Sequence, residues 1–176
     1  MKGGKHVLGE QHIVGKVHRF GDNINTDLIC PGQYMELPDE EIAAHAMQGA
    51  DPDFAKRVQV GDIIVAGKNF GSGSSRETAP QAIKSCGVSL VVAELFARIF
   101  FRNCINIGLP VLILKDTSGI RDGDRLEVSL KDGTIHNLTT GDGWTCDPIP
   151  EKIMEMMNAG GLIPLLEQKL KGSGQL

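Results

Sequence analysis

The chain has 176 residues, 41% of them hydrophobic, which is enough to bury a core in one domain spanning residues 1–176 and excludes domain-scale disorder. Its 18 basic and 22 acidic residues give a net charge of −4, and with no basic block and 5% aromatic residues it is a poor candidate for nucleic-acid binding. Met1–Glu10 lacks the apolar core of a signal peptide, and no apolar run approaches the ~20 residues that span a bilayer, so a cytoplasmic location without membrane attachment is expected.

His12–Phe20 has the β-branched content and partial alternation of a strand, ended by Gly21-Asp22-Asn23. Asp22-Asn-Ile-Asn-Thr-Asp27 follows, dense in side chains that bond local backbone; it reads either as a plain Asx-rich loop or as part of a site. Past Cys30-Pro31-Gly32, Asp39 is placed to cap a short helix over 40–48, in which His45 reads as a surface or satisfied residue. Asp51-Pro52-Asp53 breaks the chain, and Phe54 is expected in the core.

Ile63-Ile64-Val65-Ala66 is a strand without alternation, and so are Val88–Ala93 and Gly108–Leu114, as in strands buried on both faces. Helical segments lie between them, Thr78 to Cys86 and Phe96 to Asn103, the second with Arg98 and Arg102 at i, i+4. Strand, helix, strand, helix, strand is the pattern of βαβ units and parallel pairing, so the class is α/β. The chain then changes character: 122–130 and 134–138 form a hairpin with Asp132-Gly133 at its tip and Trp144 at its edge. Two short helices close it, one opened by Pro150 and stopped at Gly160-Gly161, the other over 162–170, before a frayed tail at 171–176. Met154, Met156 and Met157 read as core or interface filler.

The informative stretch is Gly67-Lys-Asn-Phe-Gly-Ser-Gly-Ser-Ser-Arg-Glu77, which runs from a strand's carboxyl end to a helix start, where open α/β sheets bind ligands. Glycines let backbone approach a bound group, N–H groups near a helix start favour an anion, and Arg76 offers a fork suited to a carboxylate or phosphate. Known glycine motifs fail: the third glycine of G-x-G-x-x-G is missing, Gly67-Lys68 is followed by Asn69 rather than Ser or Thr, and Phe70 stands where G-x-S-x-G needs glycine. Ser74/Glu77 and Thr78/Gln81 both have capping-box spacing. Pro80 favours a cap at Glu77 or Thr78, which leaves Ser74, Ser75 and Arg76 just before regular helix. Spacing alone leaves two readings open, a ligand loop or a serine-rich cap beside one solvated arginine.

Taken with Asp22–Asp27 upstream and Phe96-Ala-Arg-Ile-Phe-Phe-Arg-Asn-Cys-Ile-Asn-Ile-Gly108 downstream, this stretch resembles the small subunit of 3-isopropylmalate dehydratase, in the aconitase family. The likeness covers nearly the whole chain. It implies a swivelling domain of three β/β/α layers, with a mostly parallel central sheet plus a C-terminal hairpin and short helices. It also implies a hydro-lyase that isomerises 2- and 3-isopropylmalate by dehydration and rehydration in leucine biosynthesis. Such a chain acts only with a large subunit that carries the 4Fe-4S cluster, on a small dicarboxylate. Here Cys30, Cys86, Cys104 and Cys146 are scattered without a C-x-x-C pair and read as reduced thiols, with Cys30 closest to the functional motifs.

By resemblance, Ser74 is the catalytic base, Ser75 and Arg76 contact substrate, and Asp27 stands at the edge of the active site orienting a charged partner. Tyr34-Met35-Glu36-Leu37 faces the substrate's variable group; Met35 and Leu37 suit an apolar branch, and the absence of arginine favours isopropylmalate over homoaconitate. Glu36 fits neither pattern. It leaves homoaconitase, methylmalate (citraconate) and dimethylmalate dehydratases as relatives to separate, together with a non-catalytic anion-binding module.

Overall fold

The computed structural model describes residues 12–173; the signal-peptide reading of Met1–Glu10 and the end of the tail lie outside the described residues. Seven strands form one sheet in the order β4-β3-β2-β1-β5-β6-β7. They are β1 (His12–Arg19), β2 (Ile63–Ala66), β3 (Leu90–Ala93), β4 (Val111–Ile113), β5 (Arg125–Ser129), β6 (Thr134–Asn137) and β7 (Gly143–Thr145).

β1 organises the sheet because its two halves pair differently. Val17 to Arg19 run parallel to Ile63 to Val65 of β2, whereas His12 to Lys16 run antiparallel to Arg125 to Ser129 of β5. β2, β3 and β4 continue the parallel half; β5, β6 and β7 form an antiparallel meander. The meander folds over one face of the parallel half, giving the expected helix, sheet, sheet layering. Period-two alternation shows this directly. Ile64, Ala66, Val91, Ala93 and Val111 join a cluster with the helices, while Ile63, Val65, Leu90, Val92, Leu112 and Leu114 join one with Leu126, Val128 and Ile135 of the meander. Every residue of β2 and β3 is thereby buried, which explains their unbroken apolar runs, while Ile113 at the edge strand β4 stays exposed.

The helices are α1 (Thr26–Ile29), α2 (Asp39–Ile42), α3 (Phe54–Arg57), α4 (Thr78–Ser85), α5 (Arg98–Asn106), α6 (Glu151–Ala159) and α7 (Leu162–Gly172). Among the described residues no helix is long and apolar enough to cross a membrane. Several boundaries differ from the sequence reading. The Asx-rich run is only partly loop: Asn25 accepts from the Leu28 N–H at 2.9 Å and caps α1. The helix expected over 40–48 is one turn of α2 followed by a 3-10 turn, Ala43–His45. Pro38 stands at its cap, and the Asp39 carboxylate instead accepts from Gln81 on α4. α5 begins two residues later and ends three residues later than expected, and Pro150 is the cap of α6 rather than its first residue. β7 had no counterpart in the sequence reading beyond Trp144, which packs against the inter-sheet cluster. Phe54 is fully buried, and Met154 and Met157 are core residues.

The lead into β2 comes very close to β1. A Cβ built on Gly15 would lie 2.1 Å from the Gly61 carbonyl oxygen, which is backbone and cannot swing aside. Gly15→Ala is therefore expected to destabilise the chain by about 2 kcal/mol or more, by overpacking at the strand that joins the two half-sheets. Urea denaturation of the variant against the parent measures it.

Candidate active site

Three loops leave the carboxyl ends of β1, β2 and β3 side by side, and backbone hydrogen bonds continue past the end of the sheet to join them. From the β1 loop to the β2 loop, Asn23 N donates to Lys68 O at 2.8 Å, Gly71 N to Ile24 O at 2.7 Å and Thr26 N to Ser72 O at 2.8 Å. On the other side Phe70 N donates to Leu95 O and Ala97 N to Phe70 O, both at 2.9 Å. Side chains reinforce the seam: Asp22 Oδ1 accepts from Lys68 N at 2.7 Å, and Asn69 Nδ2 donates to Asn23 Oδ1 at 3.0 Å. The Asx-rich run and the glycine-rich run thus meet as one structure.

At the seam's end the Thr26 hydroxyl, buried, accepts the Ser74 N–H at 3.1 Å and shares a 3.2 Å hydrogen bond with Ser74 Oγ. A threonine hydroxyl has one proton and two lone pairs, so Thr26 can accept from the Ser74 amide and donate to Ser74 Oγ together. Ser74 and Ser75 are exposed, and the Ser75 carbonyl accepts from Asn103 Nδ2 on α5 at 3.3 Å. Arg76 is half-buried and donates from Nη1 to Asp27 Oδ1 at 3.1 Å. Pro80 locates the start of α4 as expected, with Glu77 at the cap, but neither capping box forms: no side chain caps α4, and Gln81 bonds to Asp39 and Ser85.

Gly71 has φ +78°, and a Cβ there would fall 2.1 Å from Phe100 Cγ on α5. Only a residue without a side chain lets the loop lie so close to that helix. The result is an open cleft of about 460 Å³ lined by Gly71, Gly73, Ser74, Ala97, Arg98, Ile99 and Arg102. The structure therefore brings Ser74 to two arginines that the sequence reading placed on a helix without assigning a role. Their i, i+4 spacing shows that they share a face; which way the face points is a property of the packed α5.

Asp27, Ser75 and Arg76 do not line this cleft; Arg76 and Asp27 are held to each other. Of Tyr34 to Leu37, Tyr34 stacks on His45 with ring centroids 3.6 Å apart, and Leu37 packs against the helical core. Met35 and Glu36 are the exposed members. His45 is satisfied locally, Nδ1 lying 2.7 Å from Gln48 Oε1.

All four cysteines are free thiols. Burial pushes each of them up, Cys86 to about 11 and Cys104 well above the usual value; at Cys30 burial outweighs the opposing pull of Arg76. Among the described residues no three side chains of His, Cys, Asp or Glu converge as a metal set.

A parallel sheet whose carboxyl-terminal loops hold a serine over an arginine-lined cleft, with a β-meander folded across its back, defines an aconitase C-terminal-type domain, and the description of the aconitase C-terminal domain matches residues 10–116. The solved 3-isopropylmalate dehydratase of Methanocaldococcus jannaschii superposes with TM-score 0.87 at 44% identity, covering 94% of this chain and 99% of that one. The 3-isopropylmalate dehydratase small subunit of Nautilia profundicola is 51% identical over 160 residues, 90% of this chain and 96% of the relative. The isopropylmalate/citramalate isomerase small subunit of M. jannaschii is 52% identical over 163 residues, 92% of this chain and 97% of the relative. The chain belongs to the aconitase C-terminal domain family and, within it, to the 3-isopropylmalate dehydratase small subunits.

The raised thiols have a consequence for stability. A folded-state thiol held at about 11 keeps its proton where the unfolded chain's, near 9, has lost it. The native state then binds more protons, and stability falls as pH rises through that window. Cys86→Ala is expected to flatten this decline, as read from urea midpoints between pH 8 and about 11.

Proposed function

We propose that this chain is the small subunit of a two-subunit hydro-lyase that interconverts 2-isopropylmalate and 3-isopropylmalate by dehydration and rehydration, the isomerisation used in leucine biosynthesis. The observation that carries the reading is Ser74, whose hydroxyl is held by Thr26 at the mouth of the cleft in a chain half identical to named small subunits.

The reaction removes a C–H proton next to a carboxylate and expels the hydroxyl from the adjacent carbon. Ser74 Oγ takes the proton, the C–H electron pair becomes the double bond and the hydroxyl leaves with its bonding pair; rehydration adds a hydroxyl to the carbon that lost the proton and returns a proton from Ser74 Oγ to the carbon that lost the hydroxyl. A serine hydroxyl is a weak base, so its deprotonated form needs donors aimed at it. Thr26 Oγ1 supplies one at 3.2 Å, and Asn25 and Thr26 fix the serine's backbone through the seam. Asp27 holds Arg76 in place beside the loop, so that Ser75 and Arg76 present donors to a substrate carboxylate. Met35 and Glu36 stand outward on the loop assigned to the variable end of the substrate, while Tyr34 and Leu37 brace that loop against the core. Departure of the hydroxyl calls for a Lewis acid. A 4Fe-4S cluster on a large subunit would supply that chemistry, the large subunit closing the open side of the cleft. The cytoplasm is the compartment proposed for the complex.

The isopropylmalate/citramalate name of the M. jannaschii relative supports a second reading, in which the same site also accepts a methylmalate. The test is reconstitution with the large subunit and assay of 2-isopropylmalate, 3-isopropylmalate, citramalate and homoaconitate as separate substrates. Isomerisation of isopropylmalate is expected from the complex and none from the purified chain; activity of the chain alone would defeat the reading. In the complex, Ser74→Ala is expected to lower kcat by ~10²- to 10⁴-fold. Thr26→Val, which removes the donor and keeps the shape, should cost about 10- to 100-fold in kcat with little change in KM.

A further inference from the structure

We infer that Arg98 and Arg102 form a second carboxylate subsite, which holds the substrate carboxylate not taken by Ser75 and Arg76. The inference rests on the proposed function and extends it to residues of α5.

Three observations converge. First, Arg98 and Arg102 line the same cleft as Ser74, from successive turns of one helix face, where Cβ atoms lie about 5–6 Å apart. Two forks at that spacing can close on one carboxylate from both sides. Second, among the described residues neither guanidinium has a carboxylate within ion-pair reach, whereas Arg76 is engaged by Asp27. The unengaged cationic charge beside Ser74 therefore belongs to α5. Third, α5 begins at this cleft with Ala97 at its cap, and no side chain satisfies its first N–H groups. The positive end of the helix adds to the attraction for an anion.

The shape selects the class of ligand. A basic surface that meets an acidic protein is broad, but here the arginines line an open cleft of about 460 Å³ whose remaining polar side chain is Ser74. A small dicarboxylate fits such a space, with one carboxylate on the arginines and the reacting carbon towards Ser74. Exposed Ile99 also lines the cleft and offers its side chain to the carbon skeleton.

The test uses Arg98→Gln/Arg102→Gln and the matching double lysine variant, each reconstituted with the large subunit. The glutamine pair is expected to raise KM for isopropylmalate by about 10- to 100-fold, the loss of charged hydrogen bonds, with unchanged affinity between subunits measured by calorimetry. The lysine pair, which keeps the charge and loses the fork, should recover part of that loss. An unchanged KM overturns the inference. So does a loss of subunit affinity with KM restored by excess partner, which would make the pair a docking patch for the large subunit.

A parent complex inactive on isopropylmalate would sink the proposed function and leave the subsite to be judged by binding. For that, the full chain is titrated with succinate while the Arg98 and Arg102 Nε–H and Ser74 amide resonances are followed. Saturable shifts in the parent chain, with the Ser74 amide shift lost in the glutamine pair, support the subsite; resonances that do not move in the parent overturn it.

Discussion

The site depends on a ladder of backbone hydrogen bonds that continues after the sheet has ended. Regular pairing between β1 and β2 reaches Arg19 and Val65, yet Asn23, Ile24 and Thr26 still bond to Lys68, Gly71 and Ser72. A loop beyond the end of a sheet would ordinarily be mobile, because loops carry few buried contacts. Here the mobile option is removed on both sides, by the β1 loop and by the loop through Leu95 and Ala97. Ser74 inherits the rigidity of three strands without belonging to any of them.

That arrangement accounts for residue types that look unrelated along the chain. Asp22 is needed for its carboxylate, which caps the Lys68 amide; Asn23 and Asn69 both adopt positive φ and bond to each other through their side chains. Thr26 is needed as a β-branched hydroxyl, buried by its carbon and polar at one atom. Each is a local solution to placing irregular backbone at the edge of a dry core, where every N–H must find an acceptor.

Much of this was legible before the structure. Apolar runs named the buried strands, since residues packed on both faces of a sheet carry no alternation, and Pro80 located the start of α4 because it lacks an N–H. The motifs also named the loop. What could not be read was the pairing between runs far apart in sequence: nothing local in Asn-Thr-Asp says that Thr26 bonds to Ser74. The double partnership of β1 is of the same kind. Period alone put Arg98 and Arg102 on one face, but only the packing of Phe100 and Cys104 into the helical core turns that face to the cleft. Asp39 and the two capping boxes misled for a related reason: a carboxylate or amide in reach of several donors is claimed by tertiary partners such as Gln81.

Gly71 gives the architecture a gauge. The hydrogen on its α-carbon stands where a methyl group would strike Phe100, so the separation between the serine loop and the arginine helix is set by the smallest substituent an amino acid can carry. Any larger group would force the loop and the helix apart. The reach of the active site is in that sense written as a missing carbon atom.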